Sequence, residues 1–266
     1  MTLAVTLANV ANTLVVSPGP STNKIYVDAN GNIGFGASPS NWGANNLNNK
    51  GVDITGNTYA FLNFNSSSGS NVTNNAYWDG SVWRYKVSGY ANAIGLNTLS
   101  SGCQFYTATT GTAGNPITFN VGIAIDSSGR VTMPNQPVFH VTAGAATASG
   151  GIVTYTATIF DIGSNVNLGT GRFTAPVAGT YYFQYHQLAP NANAGEYRTA
   201  IYKNGAGYGG LRWITNKDTA GTWQYLFAQG HVQLAVGDYI TVVYETGPAA
   251  LYTDANYGAL TGHLVG

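Results

Sequence analysis

Charge is what this sequence lacks most. Of its 266 residues, 8% are Asp, Glu, Lys or Arg, against about 25% in an ordinary globular protein. Ten basic and ten acidic side chains cancel to a net charge of zero. A nucleic-acid partner, which requires a basic surface to neutralise phosphates, is excluded on that ground. Cysteine is as scarce: Cys103 stands alone, so there is neither an internal disulfide framework nor a multi-cysteine zinc or iron–sulfur site. It reads as a small buried apolar side chain. No run of about 18 apolar residues occurs, so no membrane insertion is expected. Residues 1–16 hold no Lys or Arg, so the basic start of a secretory signal is missing. Helical periodicity is nearly absent, with no sustained apolar spacing of i, i+3, i+4, i+7.

What is present is the vocabulary of β-structure. Glycine numbers 35 and aromatic residues make up 12%. Short alternating runs dominate, such as Lys24-Ile25-Tyr26-Val27-Asp28, Val82-Trp83-Arg84-Tyr85-Lys86-Val87 and Tyr197-Arg198-Thr199-Ala200-Ile201-Tyr202-Lys203. Each is bounded by Gly, Asn, Ser or Pro, which punctuate strands. The fold class is therefore all-β. A net charge of zero removes the repulsion that keeps soluble proteins apart, so part of the surface is expected to be hidden in an oligomer.

Met133-Pro134-Asn135-Gln136-Pro137 is the best domain boundary, because two prolines so close together cannot lie in a central strand. The residues before it are rich in Asn, Ser and Gly. Those after it hold the longer strand patterns and all four histidines, His140, His186, His231 and His263. The first half contains an internal echo. Tyr26-Val27-Asp28-Ala29-Asn30-Gly31-Asn32-Ile33 matches Ala124-Ile125-Asp126-Ser127-Ser128-Gly129-Arg130-Val131. The pattern is a hairpin in which the Asp caps the turn and the Gly supplies positive φ. The second half reads as about ten strands, near 138–143, 152–160, 165–168, 171–174, 179–187, 197–203, 208–214, 222–234, 239–245 and 259–265. That count suits two packed sheets.

Catalytic and metal motifs fail on inspection. Asp28 to Asn32 resembles the start of a calcium loop, but Gly31 comes one place early and Pro39 stands where that loop needs Glu. Gly205, Gly207 and Gly210 have dinucleotide spacing, but the chain before and after them reads as strand, and no helix N-terminus is available for a pyrophosphate. Asn204-Gly205 is instead a hairpin turn. No two of the four histidines have metal-ligand spacing, and each reads as a strand residue, with a cluster formed across subunits left open. Glu196 and Glu245 are the only glutamates, and no carboxylate spacing advertises glycosidase chemistry. No nucleophile elbow exists. No catalytic residue, metal ligand or cofactor is expected.

The positive signal is polar-aromatic. Tyr208, Trp213, Lys217, Asp218 and Trp223 gather around one loop region, and Asn191, Asn193, Glu196 and Tyr197 around another. Aromatic rings stack on the C–H face of a sugar, while amides and carboxylates bind its hydroxyls. Tyr197, Tyr208, Trp213, Lys217, Asp218 and Trp223 are the candidate receptor contacts. Tyr197 and Tyr208 read as the more exposed. For Trp213 and Trp223, which fall within strand patterns, core or subunit contacts are the alternative.

Four motifs in the second half resemble the C1q/TNF-like jelly-roll family. They are Gly171-Arg172-Phe173-Thr174-Ala175-Pro176-Val177-Ala178-Gly179-Thr180-Tyr181-Tyr182-Phe183, Tyr202-Lys203-Asn204-Gly205, Leu234-Ala235-Val236-Gly237-Asp238-Tyr239-Ile240 and Leu260-Thr261-Gly262-His263-Leu264. Their order and spacing fit across residues 138–266. The resemblance implies a ten-stranded jelly-roll sandwich and a homotrimer with aromatic strands around a threefold axis. No collagen-like stem precedes it, which departs from the animal C1q proteins.

Residues 26–133 resemble bacteriophage tail-fibre and virion fibre sequences. The resembling stretches are Gly31 to Pro39, Asn74 to Gly80, Trp83-Arg84-Tyr85, Gly111 to Phe119 and Ile125 to Val131. Together the two resemblances imply an N-terminal anchor segment (1–25), a β-rich fibre or shaft domain (26–133) and a C1q-like tip domain (138–266). The implied protein is a non-enzymatic homotrimer on the virion surface. It joins other virion proteins at its N-terminus and adheres through the jelly roll to a bacterial surface glycan or protein. The alternatives are a purely structural virion component, such as a vertex decoration or tail adaptor, and a bacterial C1q-like surface protein.

Overall fold

The computed structural model describes residues 25–266 apart from 30, 37, 40–48, 55–58, 66–68, 98–101, 143, 146–148 and 190–192. The expected anchor segment, residue 25 excepted, lies outside the described residues. The chain divides into two units between Pro134 and Asn135. Among the described residues every regular element is a strand, save one 3-10 turn at Leu168–Thr170.

The first unit contains β1 (Ile25–Val27), β2 (Ile33–Phe35), β3 (Asn49–Ile54), β4 (Tyr59–Asn65), β5 (Gly69–Asn74), β6 (Ala76–Trp78), β7 (Trp83–Tyr85), β8 (Gly89–Asn97), β9 (Gly102–Gly111), β10 (Asn120–Ile125) and β11 (Val131–Thr132). Nine of these form one sheet in the order β1-β2-β3-β4-β5-β8-β9-β10-β11, and β6 and β7 form a separate ribbon. All neighbours in the large sheet are antiparallel except β2 and β3. The sequence echo becomes two hairpins at the sheet's ends. In the first, the Asp28 carboxylate accepts from the Asn32 N–H at 2.8 Å. In the second, Asp126 accepts from the Arg130 N–H at 3.0 Å. Gly31 and Gly129 both sit at φ 78°, a backbone that glycine adopts without strain.

One side of this sheet buries a small core of Ala76, Tyr85, Ala91 and Ala108, with Trp83, Ile117 and Phe119 packed on it. The other side carries an open apolar row across four strands. Val72 pairs with Ile94, Ile94 with Phe105, and Phe105 with Ile123. Ile94, Phe105 and Ile123 are each about two-fifths exposed (37%, 41% and 38%).

The second unit contains β12 (Val138–Thr142), β13 (Gly151–Ile152), β14 (Ala157–Ile162), β15 (Val166–Asn167), β16 (Arg172–Thr174), β17 (Gly179–Ala189), β18 (Gly195–Lys203), β19 (Ala206–Lys217), β20 (Gln224–Leu234), β21 (Tyr239–Thr246) and β22 (Gly258–Leu264). Five strands make one sheet, in the order β14-β12-β22-β17-β20; the facing sheet runs β15-β16-β21-β18-β19, with β13 also paired to β21. The two packed sheets form the jelly-roll sandwich that the four sequence motifs imply. The strand expected over 152–160 is two strands in different sheets. β13 pairs with β21 and β14 with β12, and the chain between them crosses the core with Val153 and Tyr155 buried. A continuous strand cannot pair with both sheets, so the ladder breaks there.

The core lies between the two sheets and is aromatic. Phe139, Phe173, Tyr181, Phe183, Tyr185, Tyr197 and Tyr244 are all at most 1% exposed. Phe139 stacks on Phe173 at 5.0 Å between centroids. Strand alternation sorts β17: Tyr181, Phe183 and Tyr185 point inward, and Tyr182, Gln184 and His186 point outward.

Candidate functional site

The two sheets of the jelly roll present unlike outer faces. On the sheet containing β21, β18 and β19, the arginines and glutamates face out, and Arg198, Arg212, Glu196 and Glu245 pair. Arg212 donates to both oxygens of Glu245, at 2.6 and 2.7 Å. Tyr202 Oη adds a third hydrogen bond to that carboxylate at 2.9 Å. Arg198 pairs with Glu196 at 2.6 Å, and Arg172 lies 4.1 Å over the Tyr239 ring. The bidentate pair and the phenol hold the Glu245 carboxyl below its usual range, Arg212 being the main cause.

The outer face of the other sheet has no such residues. Reading across β14, β12, β22, β17 and β20, one row is Ile162, Val138, His263, Tyr182 and His231, and the next is Phe160, His140, Thr261, Gln184 and Gln229. A third row brings Thr142, Ala259, His186 and Phe227 together. All four histidines of the chain stand here. Tyr182 lies between His231, at 5.2 Å, and His263, at 5.8 Å. His140 meets Phe160 edge-on at 5.9 Å, and His186 lies 6.3 Å from Tyr225. Burial, then the nearby His140, holds His186 below the ordinary histidine range. Among the described residues of these five strands, no outward side chain is Asp, Glu, Lys or Arg.

A groove opens where the free edges of the two sheets meet, along β19 and β20. It has a volume of about 340 Å³ and is lined by Gly210, Leu211, Arg212, Trp213, Phe227, Ala228 and Gln229. Trp213 is 46% exposed and stands edge-to-face on Phe227 at 5.6 Å. Gly209 and Gly210 both have positive φ, 52° and 74°. They bend β19 into a conformation that other residues rarely adopt.

Of the six residues singled out in the sequence, only Trp213 lines this groove. Tyr208 borders a smaller neighbouring hollow of about 80 Å³ that shares Gly210, Leu211 and Arg212; its ring packs against the core. Trp223 is half-exposed and pairs with Tyr252 at 5.0 Å. Asp218 is exposed in the loop after β19. Two expectations of surface position are overturned. Tyr197 is wholly buried, stacked on Tyr244 at 6.4 Å with its hydroxyl donating to the Asn193 carbonyl at 3.1 Å. Lys217 is 3% exposed. Both follow from register: Tyr197 pairs with Thr215 and Gly195 with Lys217, positions on the side of the ladder that faces the core. Asn191 lies outside the described residues. Arg212, Phe227 and Gln229 were missed because the sequence does not show that β19 and β20, which belong to different sheets, lie edge to edge. The common face of the histidines was legible in part, since His186 shares parity with Tyr182 and Gln184.

The family model for the C1q domain matches residues 138–265. Residues 138–265 form a C1q domain. Among solved structures, the globular domain of the zebrafish complement 1qA protein is similar at 18% identity, covering 49% of this chain and 98% of its own, with a TM-score of 0.37. Crystal structures of murine APRIL at pH 5.0 and pH 8.5 are similar at 14% and 16% identity; each covers 49% of this chain and 99% of its own, with a TM-score of 0.39. A comparison with curated proteins finds no match. C1q/TNF-like domains are generally non-enzymatic binding domains and are typically trimeric, so this C1q domain's groove and its uncharged face are the surfaces to assign.

Proposed function

We propose that this protein is a non-enzymatic, homotrimeric bacteriophage virion fibre protein, exposed on the particle and attaching it through the C1q domain to a glycan on the bacterial surface. The observation that carries the reading is the groove between β19 and β20. Trp213 offers a half-exposed ring for the C–H face of a pyranose, and Arg212, on the same strand, supplies donors for its hydroxyls. The groove's volume falls within the range of small-ligand sites, about 300–1,000 Å³. The fibre-like sequence of residues 26–133 supports the virion assignment, and the N-terminal residues would join it to other virion proteins.

Trimerisation is supported by what each unit leaves uncovered. The first unit leaves the Val72, Ile94, Phe105 and Ile123 row open, and the C1q domain leaves its uncharged aromatic face open. Adhesion would then be multivalent. Three weak sites on one particle component bind with avidity, because the second and third contacts are effectively intramolecular.

The test pairs light scattering with binding to a bacterial glycan array. The intact chain should have three times the 27.8 kDa chain mass and bind at least one glycan. Trp213→Ala should keep that mass and lose about tenfold in binding, the equivalent of about 1.4 kcal/mol at each site. Binding unchanged by the substitution would remove the groove from the account. A lower mass would make Trp213 a subunit contact. A trimer that binds neither glycans nor bacterial cells would be a purely structural component.

A further inference from the structure

Permanent charge in the C1q domain is distributed unevenly between its two outer faces, and the histidines fall where that charge is missing. Arg172, Arg198, Arg212, Glu196 and Glu245 belong to the sheet built on β21, β18 and β19, where they are paired or stacked on a ring. The opposite face has histidines and aromatic rings instead. Near neutral pH that face is formally uncharged and half-apolar, so covering it dehydrates no ion. The four histidines are the groups on this face that can gain positive charge in acid, and among the described residues of its five strands no outward carboxylate would offset it.

We propose that acid takes the assembly apart: neighbouring copies of this chain cover the outer face of the five-stranded sheet near neutral pH, and protonation of His140, His186, His231 and His263 releases it. The proposal rests on the trimer reading above. The occupant is a second copy, because the face suits a partner that brings no charge. A chain that is 8% charged, and whose outward arginines and glutamates in this domain stand on the other sheet, offers such a surface.

The histidines stand among aromatic and uncharged neighbours, and burial favours the neutral form of His186. His186 lies between Ala259 of β22 and Phe227 of β20, with Tyr225 beside it, and His140 acts on it electrostatically. His140 lies between Phe160 of β14 and Thr261 of β22. His231 and His263 flank Tyr182, and among the described residues of the five strands the other outward titratable groups are the phenols of Tyr182 and Tyr225. Asp161, on the edge strand β14, pairs with Phe139 and accepts from the N–H groups of Asn165 and Val166, at 3.1 and 2.9 Å, in the adjoining turn. It therefore does not face the histidines.

The direction follows from linkage. Covering a histidine disfavours its charged form, so separated copies bind more protons than assembled ones. Assembly is then complete above the ordinary histidine value of about 6.5 and weakens as pH falls through it. Each histidine that must shed a proton on assembly contributes up to about tenfold in the association constant per pH unit.

Light scattering on the full chain at about pH 8 and about pH 5 tests this, with circular dichroism read on the same samples. The expected result is a trimer at the higher pH and a mass approaching 27.8 kDa at the lower, with the β-sheet spectrum unchanged and the trimer restored on neutralisation. A variant with all four histidines changed to Gln should stay assembled at both values. His186→Gln alone should move the transition to lower pH, and it serves if the fourfold variant fails to fold. A wild-type trimer that persists at the lower pH overturns the proposal. So does a histidine-free variant that dissociates as the wild type does, or loss of the β-sheet spectrum together with the mass. A monomer at both pH values overturns the trimer reading itself, a result distinct from a trimer indifferent to acid.

Discussion

Asn75 shows how much one side chain can settle in a domain with a small core. It is 3% exposed and holds a left-handed backbone at φ 56° between β5 and β6. Its amide nitrogen donates to the carbonyls of Val87 and Tyr90, at 3.0 and 2.8 Å, and its oxygen accepts from the Val87 N–H at 2.8 Å. The chain from 86 to 90 is thereby held against a turn that it meets nowhere in sequence. Asn75→Ala leaves the Val87 N–H without this acceptor and puts a less tolerant residue at positive φ. The first unit should lose about 2 kcal/mol, read as roughly thirtyfold faster amide exchange in β5 and β8 with the C1q domain unaffected. Gly262 illustrates the opposite constraint: a Cβ there would lie 2.6 Å from both the Phe139 and Phe183 rings. The sequence marks Gly262 as part of a motif, but the two rings that require it come from distant strands.

At the scale of elements, the short-range signals held. Asn204 and Gly205 join β18 to β19 with φ of 50° and 82°, the two positive values of a type I′ turn. The turn is also tied to a distant one. Asp238 accepts from the Asn204 side-chain amide at 2.7 Å, the Ala235 N–H at 2.8 Å and the Lys203 ammonium at 2.9 Å. These bonds, the Asn204 amide first, hold its carboxyl down to about 2. A depressed carboxylate stabilises the fold above its unfolded value, about 3.9, and ceases to do so as pH falls through the folded one. The melting temperature should therefore drop between about pH 4 and pH 2, and Asp238→Asn should flatten that drop. An equally steep acid limb in the variant would place the sensitivity elsewhere. The element that misled is 152–160, where apolar alternation runs on through a switch between sheets, because Val153 and Tyr155 are as buried in the crossing as in a strand.

For the whole molecule, the separation of charge between the two outer faces of the C1q domain makes the assembly reading testable without a ligand. Gln184 stands near the middle of the uncharged face, in the row between Thr261 and Gln229. Gln184→Lys adds a permanent charge there, where covering it would leave an unpaired buried ion. It should reduce the mass in solution to that of one chain while leaving the melting temperature of that chain little changed. Glu196→Lys places the same charge on the opposite face and should leave the assembled mass as it was. Equal masses for the two variants would show that the uncharged face is not the one covered.

Local chemistry was within the reach of the sequence. Alternation, turn residues and the scarcity of charge determined an all-β chain with Asp-capped hairpins and an Asn-Gly turn, because each depends on residues a few places apart. The four motifs likewise pointed to the jelly roll. Only the tertiary structure decided which alternating residues face water. Tyr197 and Lys217 went inside, Trp213 and Trp223 stayed half-exposed, and four histidines from four strands came to one face. The physical reason is that a strand's two sides are equivalent until a second sheet covers one of them, and the cover comes from residues far away in the chain.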